Sequence, residues 1–340
     1  MKIPVLAVSM ICSFLLNGCA SPLRIATSDQ PNAPTHQSGN GLSIQYLGVG
    51  GHRLQVGEEV ILTAPSFTNP NFLLTGPFMP LRSDHQRIDE LMPESSSAQM
   101  LLVGHAHYDH LLDVPHVLLK HAPEAHLYGS QTTINTVSAV IPAERMTALD
   151  TSMGTREQPG TWHYSRSGRS RIMGLKSSHA PHFMGIKLMQ GRYDEPQKKL
   201  PWHSFGWKEG QTLAYLIDFL DDQQQPLYRV FYQDSASAEI DGVVPDLADG
   251  KDIDVAIICP ASFAQVEQYP ESIVRNTQAR HFILGHWEDF FGNDPRGKQK
   301  FVRATDQEAF LERLTAALPA SSHWTLPTLF DTYHFSQQEP

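Results

Sequence analysis

The sequence predicts an α/β layered fold, and three observations carry that expectation. Short runs rich in Val, Ile, Leu, Phe and Tyr alternate with stretches of helical spacing along most of the chain, the pattern of sheets covered by helices. Glycine- and proline-bearing turns punctuate those runs. The second half repeats the strand-rich layout of the first with no detectable repetition of sequence. With 340 residues and 41% hydrophobic side chains, the chain can bury a substantial core.

The elements follow in order. The opening MKIPVLAVSMICSFLLNGCA holds a lysine, an apolar run from Ile3 to Leu16, and then Leu16-Asn17-Gly18-Cys19. The run is too short for a comfortable membrane span and reads as a removable secretory signal over residues 1–18. Residues 19–40 are rich in Ser, Pro, Thr, Asn and Gln without apolar period, which predicts a flexible tether. A single domain is expected over 41–340. LSIQYLG, HRLQV and EEVILTAP read as strands, the first two joined by a turn at Gly48, Gly50 and Gly51. The aromatic, Pro-rich stretch 67–83 reads as a loop, either a wall over a site or a packed surface loop. AQMLLVG is a buried strand, VPHVLLKHA has helical spacing, and AHLYG, SQTTINTVSAVI and MTALD continue as strand, helix and strand. SRIMGLKSS, TLAYLIDF, LYRVFYQ, DVAIICP and HFILGH are further strands, with helices at PESIVRNTQA and DQEAFLERLTAAL. Residues 183–211 form a long polar and aromatic excursion, expected on the face that carries the chemistry.

Leu-x-Gly-Cys resembles a bacterial lipoprotein box. The resemblance implies cleavage before Cys19, acylation of its thiol, and attachment to the bacterial cell envelope. Ala20 after the cysteine favours the outer membrane, facing the periplasm. At about 0.8 kcal/mol per buried methylene, a multiply acylated cysteine is firmly held in a leaflet. Plain secretion with cleavage nearby is the alternative. The net charge of −10 argues against the basic surface that nucleic-acid phosphates require, so no nucleic-acid partner is expected. Of the three cysteines, Cys12 lies in the signal and Cys19 is the lipid candidate. Cys259 closes an apolar run as a small buried hydrophobe, and no disulfide framework follows.

GHAHYDH, residues 104–110, puts His105, His107, Asp109 and His110 within six positions just past a strand. A loop there can point His105 and His107 one way and Asp109 and His110 another, which suits two metal ions. Each ion needs further ligands, since a catalytic zinc takes three protein donors and keeps a position open. Later strand ends offer His179 in GLKSSHAPH, Asp234 in VFYQDSAS and His286 in FILGHWEDF. Strand ends on one edge of an α/β fold are where sites assemble.

In this order the set resembles the metallo-β-lactamase superfamily over residues 42 to about 290. The resemblance implies a four-layer αβ/βα sandwich. It also implies a first metal on His105, His107 and His179, a second on Asp109, His110 and His286, and Asp234 bridging both. His182 rivals His179 for the third place, and His179 is preferred because it immediately follows its strand. Two departures stand out: ILTAP carries Ala64 where the family commonly has an aspartate before proline, and Asp234 follows Gln233 rather than a glycine. Five imidazoles and two carboxylates suit Zn2+, two per chain, with Mn or Fe as alternatives. The redox di-iron branch would have glutamate at position 107. Hydrolysis is therefore expected, by a hydroxide shared between the ions, with Asp109 to orient it and pass its proton to the leaving group. The bridging Asp234 turns the reading away from β-lactams and toward phosphodiesters, related esters or lactones of a small-molecule or lipid substrate. HAHYDH with HWEDFF is more like the branch of N-acylphosphatidylethanolamine phospholipase D and the sugar-phosphate lactonases. Tyr108, His182, Trp287 and Glu288 are candidates to line the pocket or brace the ligands. His116, His121, His126, His203 and His281 read as structural or surface residues. The alternative function is a lipoprotein of the same fold that binds metal or a partner without turnover.

Overall fold

The computed structural model describes residues 41–71, 79–182 and 184–336. The predicted signal segment, Cys19, the tether and the middle of the 67–83 stretch lie outside the described residues. Fourteen strands make two seven-stranded mixed sheets among the described residues. The first sheet contains β1 (Leu42–Gly48), β2 (Gly51–Val56), β3 (Glu59–Thr63), β4 (Ala98–Leu102), β5 (His126–Gly129) and β6 (Met146–Ala148). The second contains β7 (His163–Tyr164), β8 (Ser170–Lys176), β9 (Leu213–Leu220), β10 (Pro226–Tyr232), β11 (Val255–Ile258), β12 (His281–Leu284) and β13 (His323–Thr325). The last strand, β14 (Thr332–Phe335), returns to the first sheet and pairs antiparallel with β1. Each sheet starts as an antiparallel meander and continues in parallel: β1 to β3, then β4 to β6, in one; β7 to β10, then β11 to β13, in the other.

The period-2 alternation of the strands builds the layers. In β9, Leu213, Tyr215, Ile217 and Phe219 join the apolar cluster that also takes Ile44, Leu54, Ile61 and Leu102 from the first sheet, so this cluster fills the space between the sheets. The intervening Ala214 and Leu216 face a second cluster with Phe282 and Leu284. Two helices cover that outer face, α5 (Glu271–Thr277) through Ile273 and Val274 and α6 (Gln307–Ala317) through Phe310, Leu311 and Leu314. A third cluster joins Val60, Leu62, Leu101 and Leu127 to Ile88 of α1 (His85–Leu91), Leu111 of α2 (Tyr108–Leu111), Val114 of α3 (Val114–His116) and Val137 of α4 (Gln131–Val137). Three apolar layers between four layers of secondary structure make the expected αβ/βα sandwich.

Local signals set several boundaries. Asp84, Ser130 and Asp306 cap α1, α4 and α6 by accepting from backbone N–H groups three residues on, as short polar side chains do at helix starts. The VPHVLLKHA segment, expected as one helix, is α3 continued by a π-helical turn over Val117–His121, in which Ala122 N–H donates to the Val117 carbonyl. On the outer face of the second sheet, Asp218 and Arg229 are both buried and joined by two hydrogen bonds of 2.7 and 2.8 Å. Among the described residues no helix is long and apolar enough to cross a membrane.

Candidate metal centre

The chain leaves β4 at Leu102 and, within three residues, reaches His105. It leaves β8, β10 and β12 shortly before His179, Asp234 and His286. β8, β10 and β12 run in one direction, so those three residues emerge at one edge. The two sheets are tied together at that edge: Leu213 N–H donates to the Gly104 carbonyl at 2.8 Å, and Tyr232 OH to the Gly50 carbonyl at 2.8 Å. Two glycines are needed for the close approach. A Cβ on Gly104 would lie 2.4 Å from both carboxylate oxygens of Asp234, and one on Gly50 would lie 2.6 Å from His110 Nδ1.

All seven predicted side chains meet there. Ligand-capable atoms of His105, His107 and His179 lie within 4.8 Å of one another, as do those of Asp109, His110 and His286, and those of His105, His110 and Asp234. Asp234 joins the two triads: its Oδ1 is 3.0 Å from His105 Nδ1 and its Oδ2 is 3.2 Å from His110 Nδ1. Asp109 Oδ2 stands 3.5 Å from His110 Nε2 and 3.4 Å from His286 Nε2. The donor set fits divalent cations in one further respect. His105 Nε2, His107 Nε2 and both ring nitrogens of His110 are buried without a hydrogen-bond partner among the described residues, an arrangement that costs free energy unless another group is bound.

Charge states agree with ligand chemistry. Burial pushes His107 and His179 well below the ordinary imidazole range, with the surrounding imidazoles adding to the effect. Burial, followed by His105, lowers His110 to about 3. These rings are neutral at pH 7 and carry lone pairs, as metal binding requires. Burial alone would raise Asp109 and Asp234, but the neighbouring His110 and His286, and His105 and His110, outweigh it and hold both carboxylates below their usual range. His105 goes the other way, because Asp234 overcomes the effect of burial.

His179 and His182 are separated by their hydrogen bonds. His179 Nδ1–H donates to the Ala180 carbonyl at 2.5 Å, which leaves Nε2 with the lone pair. His182 Nδ1 accepts from Leu188 N–H at 3.1 Å, so the neutral ring carries its proton on Nε2 and acts as a donor. The two rings stack at 4.8 Å.

The other singled-out residues brace the site or pack behind it. Glu288 Oε1 accepts from Val49 N–H at 2.7 Å and its other oxygen accepts from Tyr46 OH. Tyr46 OH in turn accepts from His286 N–H at 2.9 Å. The clamp holds His286 at φ +52°, a conformation that non-glycine residues adopt only where surroundings impose it. Trp287 is buried in the core of the second sheet and donates its indole N–H to the Pro327 carbonyl at 2.9 Å. Tyr108 is buried among the side chains under α1 and α4. Ala64 offers no carboxylate, and Glu288 is the buried acid that braces this edge from the segment after β12. Sequence reasoning passed over Tyr46 and Asp113, and read Gly50 only as part of a turn. Asp113 is buried and accepts from Phe67 N–H, Thr68 N–H and Ser83 OH at 2.7, 2.7 and 2.8 Å, which fixes both ends of the 67–83 stretch. The only sequence signal for it was an acid three residues past the ligand motif. The excursion 183–211 reaches the centre through Glu209, whose carbonyl accepts from Ala106 N–H at 3.0 Å.

No protein-family model matches the chain, and no curated protein matches it. Among solved structures it is similar to Igni18, a metallo hydrolase from the archaeon Ignicoccus hospitalis, with TM-score 0.51 and 11% identity over 87% of this chain and 99% of that one. Two others give a TM-score of 0.47. The metallo-β-lactamase fold protein YhfI from Bacillus subtilis is 13% identical over 87% of this chain and 100% of that one. CmlA, a diiron β-hydroxylase from Streptomyces venezuelae, is 11% identical over 88% of this chain and 55% of that one. At these identities it is the fold that is shared: a metallo-β-lactamase-type αβ/βα sandwich.

Proposed function

We propose that this chain is a metal-dependent hydrolase that holds two divalent cations, zinc in the first instance, and cleaves a phosphodiester or a related ester or lactone. One observation carries the reading: seven donors from four strand ends, six of them buried and His179 half-buried, form two triads joined by Asp234. His105, His107 and His179 would hold one ion, Asp109, His110 and His286 the other, and Asp234 both. When bound, such a pair supplies Lewis acidity to the scissile group and makes water acidic enough to attack near neutral pH. Asp109 is ionised and faces His110 and His286, a position from which it orients the attacking water, accepts its proton and passes it to the leaving group. His182, with its proton on Nε2, donates a hydrogen bond to a substrate oxygen rather than binding metal.

The surroundings favour an amphiphilic substrate. A cleft of about 340 Å³ beside His179 is lined by Ala180, Pro181, Lys187, Ile240 and Gln265. Lys187 offers a cation to an anionic group, while Ile240 is an exposed apolar side chain in the lining; Met184 and Ile186, just before Lys187 in the chain, are also exposed. Acylation of Cys19 would hold the enzyme at a lipid surface, where such substrates reside.

The test is a parallel screen of wild type and Asp109→Asn on bis(p-nitrophenyl) phosphate, lactones and phospholipids. Turnover that falls by about 10²-fold or more in the variant, as expected for loss of a proton-transfer group, supports the assignment. Turnover untouched by Asp109→Asn sinks the role of Asp109. Zinc bound with no turnover on any substrate replaces the hydrolase with a non-catalytic binding module.

A further inference from the structure

A second group of metal-capable side chains lies in the helical layer outside the first sheet. Asp89 of α1 accepts from two imidazoles on the same oxygen: His116 Nε2 and His121 Nε2 are each 2.8 Å from its Oδ1. Lys120 Nζ lies 2.6 Å from the other oxygen. The three donor atoms of Asp89, His116 and His121 fall within 4.8 Å of one another. They share no residue with the centre at the strand ends.

The backbone explains why they meet. In an ordinary α-helix, residues five apart point about 140° away from each other. Here His116 is followed by the π-helical turn Val117–His121, whose wider turn brings positions five apart to the same side. π-Turns are rare and concentrate at functional sites. The imidazoles come together with ring centroids 5.8 Å apart. Across from them, α1 places Asp89 one turn after His85, and the His85 ring stacks on His116 at 3.9 Å.

We propose that Asp89, His116 and His121 form a surface site for a divalent transition ion such as Zn2+, which staples α1 to the π-turn. Two imidazoles and one carboxylate are a borderline-soft donor set of the kind that selects such ions over calcium or magnesium. Tetrahedral zinc at ~2.1 Å from each donor needs donor atoms ~3.4 Å apart. Parting each imidazole from Oδ1 by roughly half an ångström therefore admits the ion. The histidine side chains are 14% and 17% exposed and that of Asp89 31%, so the site is open on one side and an ion enters without unfolding. Lys120 sits on the far oxygen and leaves Oδ1 as the ligand, and at 56% exposure it can withdraw from the cation. The staple reinforces a tie already present at the other end of α1, where Ser83 OH donates to Asp113 at the start of α3.

The experiment counts zinc. Wild type, His121→Gln and Lys120→Ala are equilibrated with micromolar Zn2+, and bound metal is measured by mass spectrometry. Melting in EDTA reports the fold. Glutamine can still donate a hydrogen bond to Asp89 but does not replace an imidazole ligand. His121→Gln is expected to melt like wild type in EDTA, bind one zinc equivalent fewer, and lose the part of the zinc-induced rise in Tm that belongs to this site. Lys120→Ala is expected to bind that equivalent several-fold more tightly. The readout is a difference between variants, so it holds whatever the strand-end centre contains. Equal zinc in wild type and folded His121→Gln overturns the proposal, and so does an affinity unchanged in Lys120→Ala.

Discussion

The close packing of Gly104 against Asp234 gives a sharp prediction. In Gly104→Ala the new methyl would sit 2.4 Å from both Asp234 oxygens and 2.5 Å from the carboxyl carbon, about 1 Å inside ordinary van der Waals contact. The backbone has little room to yield. Val103 N–H donates to the Tyr128 carbonyl at 3.0 Å, the Gly104 carbonyl accepts from Leu213 at 2.8 Å, and Tyr215 OH donates to the Val103 carbonyl at 2.8 Å. The Asp234 carboxylate therefore moves instead, away from His105 and His110. Overpacking of this kind costs about 1–3 kcal/mol, and a 1 Å misplacement of a positioned group costs roughly 10²-fold in rate. The assay measures metal content, Tm with and without EDTA, and turnover. The variant is expected to fold, to lose most of its stabilisation by zinc, and to lose activity by about two orders of magnitude. Gly104→Ala with wild-type zinc and wild-type rate would refute the placement of Asp234 between the triads.

Three further outcomes follow from the geometry. His179→Ala should lose metal at the strand-end centre, whereas His182→Ala should keep it and lose rate; the reverse, read by metal analysis, would exchange their roles. Arg229→Met leaves Asp218 buried with Arg171, at 2.9 Å, as its remaining side-chain partner among the described residues, and should cost about 3 kcal/mol in urea unfolding without changing metal content. His52 is fully buried with Nε2 unpartnered among the described residues, and burial lowers it to about 3. Its unfolded-state pKa is near 6.5, so its contribution to stability is complete above about pH 6.5 and is lost as pH falls toward about 3. Between pH 6.5 and 4 that loss is roughly 3 kcal/mol at 1.36 kcal/mol per unit. In EDTA, His52→Gln should flatten the unfolding free energy across this interval, and parallel profiles would exclude His52 as the source.

Much of the fold and of the centre was legible because it rests on local pattern. LAYLIDFL, interrupted only by Asp218, and VAII are apolar runs, as strands covered on both faces must be, and each predicted ligand stands just past an apolar strand. What the sequence hid depends on distant partners or on uncommon backbone. The final strand is four residues of mixed polarity, TYHF, whose partner β1 lies at the other end of the domain. α1 buries only Ile88, so no helical period marks HQRIDEL. Tyr46 and Glu288 have no reason to be paired until the fold brings β1 beside the end of β12. His116 and His121 look unrelated at α-helical spacing and meet only because the turn between them is wider.

The pairing of Leu42 with Phe335 ties together positions almost three hundred residues apart. Until the final strand arrives, β1 presents an open edge of backbone donors and acceptors, the kind of template that recruits other chains. A chain cleaved before residue 332 would carry both halves of the ligand set and still expose the β1 edge. Docking of β14, rather than assembly of the metal-binding loop, is then the step that covers this edge, and it leaves only a four-residue strand at the border of the sheet.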